Sequence, residues 1–288
     1  MTTDVTTDVS TDVSTAVTAE PGTDAPADLA KPVVTLTDEE LAVLGHADGP
    51  AVTPYLADLA GAVRDQALAT ALRGLLARGI VSSPGGDGAP ELQGDRVELD
   101  LLVRQDVLSV LTLRRAASTV VAAARTGAAV QDFLYAHVVA EFVLVEQVGT
   151  DGQHRFSLGR AADLGELLVG AVLHPEAASG TAGDPVTLSV PAGDVAGPAA
   201  VAVTPPALMA QLGAAHLRAD VTVLRSGATD GRELLGLFTG PRGCWVARTA
   251  AGSGQVRIAP VDVEQVRRDV RALAADAAPT SPESGDAR

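Results

Sequence analysis

Five histidines, His46, His137, His154, His174 and His216, are the residues of this chain best suited to acid–base or metal chemistry. No two stand at HxH, HxxxH or HExxH spacing, the arrangements that put paired imidazoles on one face of a strand or helix. His137 and His154 flank a predicted turn at 149–152 and can meet across a hairpin. Zinc takes three or four ligands, and no cysteine or ordered carboxylate cluster stands beside that pair to complete a set. Hydrogen-bonded or exposed imidazoles are the favoured reading, and no metal ligand is assigned.

Other reactive types are equally sparse. The single cysteine, Cys244, lies in the apolar run Cys244-Trp245-Val246-Ala247, so it forms neither an internal disulfide nor a CxxC site and reads as a small buried hydrophobe. The one lysine, Lys31, sits in Ala-Lys-Pro without a phosphate-binding loop around it, which removes P-loop and Schiff-base chemistry. Gly252-Ser253-Gly254 is the nearest likeness to a hydrolase elbow and falls in a predicted hairpin turn. Gly85-Gly86-Asp87-Gly88 and Gly180-Thr181-Ala182-Gly183 lack the strand, helix and spacing of a dinucleotide site. Glu98 and Asp100 share a strand face, where such pairs are solvated charges. No catalytic residue and no cofactor is therefore expected.

Partner binding is what remains. A formal charge of −15 opposes polyanions, so nucleic acid is not an expected partner. The first thirty residues hold no Lys or Arg and no apolar run, later apolar runs fall short of the roughly 20 residues needed to span a bilayer, and the expected location is cytoplasmic without membrane insertion. Aromatic residues are rare, which singles out Phe133, Tyr135 and Phe238, with Leu237 beside the last, as candidate anchors for a protein partner. Phe133 and Tyr135 differ by two positions and project together from an extended segment, while Leu237-Phe238-Thr239-Gly240 ends a strand at a turn.

The elements that position these residues follow from periodicity. Residues 1–34 begin with a four-residue Thr-Asp-Val repeat and predict a disordered acidic leader; 276–288 predicts a disordered tail. Thr37 and Glu40 stand at capping-box spacing at the start of a short helix, and Leu59 to Leu76 predicts a longer helix over 57–78 that Gly79 ends. Val97-Leu99-Leu101 and Val107 to Leu113 are read as strands, as is Val138 to Val145, followed by the turn 149–152, a returning strand Gln153–Leu158 and a helix Asp163–Leu173.

Gly152-Gln153-His154-Arg155-Phe156 is then echoed by Gly254-Gln255-Val256-Arg257-Ile258, each behind an apolar strand and ahead of an amphipathic helix. The echo predicts a single α+β domain over 35–275, with a mixed or antiparallel sheet, flanking helices and a pseudo-two-fold duplication of an αββββα unit. The halves are 35–174 and 205–275; the connection, 175–204, holds one strand candidate, Val186–Val190.

This order of elements resembles the EspG family of type VII (ESX) secretion-associated proteins. The resemblance covers roughly 35–275 and is carried by Leu72-Arg73-Gly74-Leu75-Leu76-Ala77-Arg78-Gly79-Ile80, by Asp230-Gly231-Arg232-Glu233, by the Trp245 strand, and by the closing strand and helix from Arg257 to Leu273. It implies a cytosolic, non-enzymatic chaperone that grips the helical tip of a secretion substrate of the PE–PPE or WXG type. The runner-up is a winged-helix transcriptional regulator with helices 38–44 and 57–78 and a wing over Ser82–Gly88. Asp38, Glu39, Glu40, Asp48 and Asp58, with no Lys or Arg in 35–60, oppose DNA contact there.

Overall fold

The computed structural model describes residues 29–83, 101–128, 131–179, 183–189, 206–227, 234–249 and 255–278. Among the described residues, twelve strands and six α-helices build an α+β fold around one ten-stranded antiparallel sheet. The first half supplies β4 (Thr119–Gly127), β5 (Gln131–Val139), β6 (Phe142–Val148) and β7 (Gln153–Arg160), a four-strand meander that leads into α4 (Leu164–Val172). The second half repeats it with β9 (Leu217–Arg225), β10 (Leu234–Gly240), β11 (Gly243–Thr249), β12 (Gln255–Val261) and α6 (Val263–Ala277).

The register makes the duplication explicit. Val139 pairs with Phe142 across one two-residue turn and Gly240 with Gly243 across the other. The halves join where β4 pairs antiparallel with β9, Ala122 opposite Thr222, at the middle of the sheet. One face of the sheet is sealed by α4 and α6, which lie side by side. Leu164, Leu167, Leu168 and Val172 of α4, and Val266, Val270 and Ala274 of α6, recur at helical spacing and bury against Val121, Ala123, Ala219, Val221, Leu235 and Leu237.

The opposite face carries the remaining elements. β1 (Ala30–Thr37) forms one edge beside β7 and runs into α1 (Asp38–Val43), whose start is the expected capping box: the Glu40 amide donates to Thr37 and the Thr37 amide to Glu40. α2 (Gly61–Ala77), a short ribbon of β2 (Val81–Ser82) with β3 (Leu102–Val103), and α3 (Gln105–Ala116) follow. Leu41, Leu75, Ile80, Val107, Val110 and Leu111 bury with Leu36, Leu144 and Phe156 beneath. At the far end β8 (Val186–Ser189) forms the other edge, and α5 (Pro206–Leu212) sets Leu208 against Trp245 and Ile258. Helices α1 and α2 thus share the core of the sheet and form no separate winged-helix unit.

Several expectations need correction. Val107–Leu113 is part of α3, because Val107, Val110, Leu111 and Arg114 turn one helical face to the sheet. Val138–Val145 is not one strand: Ala140 and Glu141 turn it back, with Ala140 in the left-handed region at φ +50. An ordered strand begins at Ala30, inside the segment read as leader, and α6 reaches Ala277, inside the segment read as tail. Helix α5 stops at Leu212, and Leu217 opens β9. The leader through residue 28, the tail from 279, Val97–Asp100 with the Glu98/Asp100 pair, the wing from Pro84, Gly180–Ala182, Asp230–Glu233 and Gly252–Gly254 lie outside the described residues.

Candidate functional site: the half-open face of the sheet

Cross-strand partners in an antiparallel sheet project to the same face. Phe133 stands opposite Ala124, Ala124 opposite Asp220, and Asp220 opposite Gly236; Phe238 stands opposite Arg218. This face therefore has a floor of Ala122, Ala124, Thr222, Asp220 and Gly236, with Phe133 at one side and Phe238 at the other. The floor is small by composition and open by burial except at Gly236, which is buried. Ala122, Ala124, Asp220 and Thr222 are half-buried, while Val121, Ala123, Ala219 and Val221, their neighbours on the α4–α6 face, are buried.

Three inter-strand intervals separate Phe133 on β5 from Phe238 on β10, about 14 Å at the usual strand spacing. That width accepts a helix about 10–12 Å in diameter. Each aromatic also lines a cleft. Phe133 borders one of about 540 Å³ with Asp48, Val52 and Pro54 of the segment between α1 and α2. Phe238 borders one of about 250 Å³ with Gln211 and Ala215 at the end of α5. The Arg218 guanidinium lies 5.6 Å from the Phe238 ring centre and 2.7 Å from Asp220, which gives this wall a charged rim.

The four anchor candidates separate on this frame. Phe133 and Phe238 keep exposed surface on the half-open face. Tyr135 shares that face, with its ring stacked 6.5 Å from Phe133, but it is buried and its hydroxyl accepts from the Val52 amide at 3.2 Å. Burial pushes the Tyr135 phenol up. Leu237 is fully buried, because strand alternation turns it to the α4–α6 side, so its expected role as a surface anchor gives way to one in the core.

The polar groups that sequence reasoning failed to combine lie under α1 and α3. His137 Nε2 is 2.7 Å from Glu146 Oε2, His154 Nδ1 is 2.6 Å from Glu146 Oε1, and His154 Nε2 is 2.7 Å from Asp38 Oδ1. Arg114 Nε donates to Glu146 Oε2 at 2.9 Å, and the other Asp38 oxygen accepts from the Tyr55 and Leu56 amides. His137 and His154 do meet, then, through the Glu146 carboxylate between them.

Both His154 nitrogens face carboxylate oxygens, so both donate and the ring is an imidazolium. The Asp38 and Glu146 carboxylates are set against the His154 imidazolium and the Arg114 guanidinium, which is how a set this buried is tolerated. Burial pushes the Glu146 carboxyl up, but hydrogen bonds from His137 and His154 and the Arg114 charge outweigh it and hold the group far below the usual carboxylate range. Burial pushes His154 down, yet the bonds to Asp38 and Glu146 leave it raised. Asp38, His137, Glu146 and His154 are closed to solvent, so the cluster positions elements rather than meeting a substrate.

A pH dependence follows. His154 is raised from 6.5, so its contribution to stability is complete below about pH 6.5 and is lost as pH rises through the elevated value. Glu146 is lowered from 4.5, so its contribution is complete above about pH 4.5 and fails only in stronger acid. The stability gap between the wild type and His154→Gln in urea unfolding is expected to narrow as pH rises from 6 to 10; a constant gap contradicts the charged imidazole.

Arg114 also faces the neighbouring cleft, of about 640 Å³, which His46, Arg115 and Arg225 line too. Burial, then the Arg114 and Arg115 charges, lower His46. Burial pushes the Cys244 thiol up, away from nucleophilic chemistry. One trio among the described residues, His174, Glu176 and His216, brings metal-ligand atoms together. Sequence spacing missed it because His174 ends the first half and His216 opens the second.

No protein-family model matches the chain, and no curated protein matches it. Solved structures that match include the Mycobacterium tuberculosis type VII secretion system chaperone EspG5 in complex with a PE25–PPE41 dimer. The likeness has 11% sequence identity and a TM-score of 0.45, over 86% of this chain and 98% of that one. It is a likeness of broad architecture and gives no residue a role. No helix among the described residues is long and apolar enough to cross a membrane.

Proposed function

We propose that this protein is a non-catalytic, cytoplasmic chaperone or adaptor that holds a helical segment of a client protein on the half-open face of its sheet. The observation that carries the reading is the small-residue floor of Ala122, Ala124 and Gly236 between Phe133 and Phe238. Small residues let a helix approach closely, and aromatic walls supply the large apolar contacts that dominate interface energies. Gly236 belongs to this floor, since a Cβ there would stand 3.1 Å from Ala247 Cβ.

The client we favour is a helical secretion substrate of the PE–PPE or WXG type, the class implied by the sequence resemblance to the EspG family. An acidic surface and the absence of an assigned catalytic group suit a protein that keeps an apolar helix soluble until it is handed on.

The test is affinity purification of the tagged chain from its own cytosol, with mass spectrometry of stoichiometric partners, beside Ala124→Arg. Ala124 is half-buried on the floor, so arginine fills the trough while its charge reaches solvent. We expect a small helical secretion substrate to co-elute with the wild type, and the variant to fold and lose it. Retention by Ala124→Arg, or recovery of the chain alone, sinks the proposal.

A further inference from the structure

We infer that His174, Glu176 and His216 form a binding site for a divalent transition-metal ion of the zinc class at the junction of the two halves. The ligand atoms of the three side chains all lie within 4.8 Å of one another. The His174 and His216 rings stand edge to face, 5.1 Å between centres and 89° between planes, and Glu176 Oε2 is 3.9 Å from His216 Nδ1. A tetrahedral zinc shell with bonds of about 2.0–2.1 Å places its ligand atoms about 3.4 Å apart. Closing that difference takes a rotamer adjustment, which the exposed Glu176 and His216 can make.

The backbone, not the side chains, makes this more than a chance meeting. One buried residue, Thr239 of β10, anchors both histidines: its hydroxyl accepts from the His174 amide at 3.0 Å, and its carbonyl accepts from the His216 amide at 3.0 Å. The next residue, Gly240, accepts from the Ala178 amide at 3.0 Å, so the chain on both sides of Glu176 is tied to the same strand end. A Cβ at Gly240 would stand 2.9 Å from the His216 amide nitrogen, so only glycine allows this approach. The backbone that carries the two imidazoles and the carboxylate is thus held to one strand end, and only the side-chain rotamers remain to be set by the ion.

The chemistry of the set selects the ion. Imidazole favours zinc, nickel and copper, while magnesium prefers an all-oxygen octahedron. His174 Nδ1 now accepts the Glu176 amide at 3.1 Å, and Glu176 is exposed, so coordination there leaves an amide that water can satisfy. The exposure of Glu176 and His216 leaves a further coordination position to solvent.

Bound metal would close the chain from 174 to 216 into a ring. It would also fix the end of α5, since the Gly213 and Ala215 amides bond back to Met209 and Leu212 just before His216. The inference stands apart from the client reading and does not need it.

The experiment is calorimetric titration of the tag-free, chelator-treated full chain with Zn²⁺, with Mg²⁺ as the second cation. We expect one equivalent of Zn²⁺ and no comparable Mg²⁺ binding. His174→Ala and His216→Ala are each expected to weaken Zn²⁺ binding about tenfold or more, and their combination to abolish it. His46→Ala is the control for stray surface histidine and should bind as the wild type does. His216 and Glu176 are exposed, so His216→Ala and Glu176→Gln leave the fold, read by circular dichroism, unchanged. No Zn²⁺ binding at millimolar concentration, equal binding of Mg²⁺, or unchanged affinity in the double variant overturns the site.

Discussion

Glu146→Ala is expected to lower the free energy of unfolding by about 3–5 kcal/mol, the range for removing one partner from a buried ionic set. The size follows from what the carboxylate holds. Its Oε2 accepts from Arg114 and His137 and its Oε1 from His154, and among the described residues His137 has no other partner. Without it, Arg114 keeps only carbonyls of His46 and Asp48, and His154 keeps Asp38 alone. Glu146→Gln is not expected to rescue, because either orientation of the amide sets an NH2 group against a donor. Urea unfolding at pH 6 reads the loss; a change below about 1 kcal/mol would mean the cluster is not an ionic set.

Leu237→Ala is expected to cost about 2–5 kcal/mol by opening a cavity under α4 and α6, with client capture unchanged in whatever fraction stays folded. Its neighbour predicts the reverse. Phe238→Ser removes a half-buried ring from the trough wall, so the fold should survive and capture should fail. Thermal unfolding paired with the co-elution assay separates the two, and equal effects in both assays would mean that the alternation of β10 had been misassigned.

The elements that were legible in the sequence carry strong local signals. Gly149-Thr150-Asp151-Gly152 marks the β6–β7 turn, the Thr37–Glu40 box marks α1, and the apolar spacings of α4 and α6 fix their buried faces. Elements without such signals were missed. Ala140-Glu141 turns β5 into β6 with a left-handed alanine, a residue that announces no turn, whereas Pro241-Arg242-Gly243 marks the equivalent bend in the second half. No side chain caps the start of α3, and Val107, Leu111 and Leu113 fit a period of two nearly as well as one of 3.6.

The candidate site was legible only in part, for a related reason. Phe133 and Phe238 stood out by rarity, but the floor between them is made by pairing β4 with β9, contacts that local patterning does not encode. The buried cluster had one usable signal. Glu146 alternates with Leu144 and Val148 on a strand whose other face holds Val143 and Val145, and a carboxylate there needs buried partners.

The bond between His154 and Asp38 spans 116 positions of chain, and β1 pairs with a strand that lies beyond all of α1 to β6. The β4–β7 meander closes through short hairpins, so it can assemble as it leaves the ribosome, while β1, made before any of them, must wait for β7. Until then Thr35, Leu36 and Asp38 have no sheet to join, and the nascent chain carries an unmatched apolar strand.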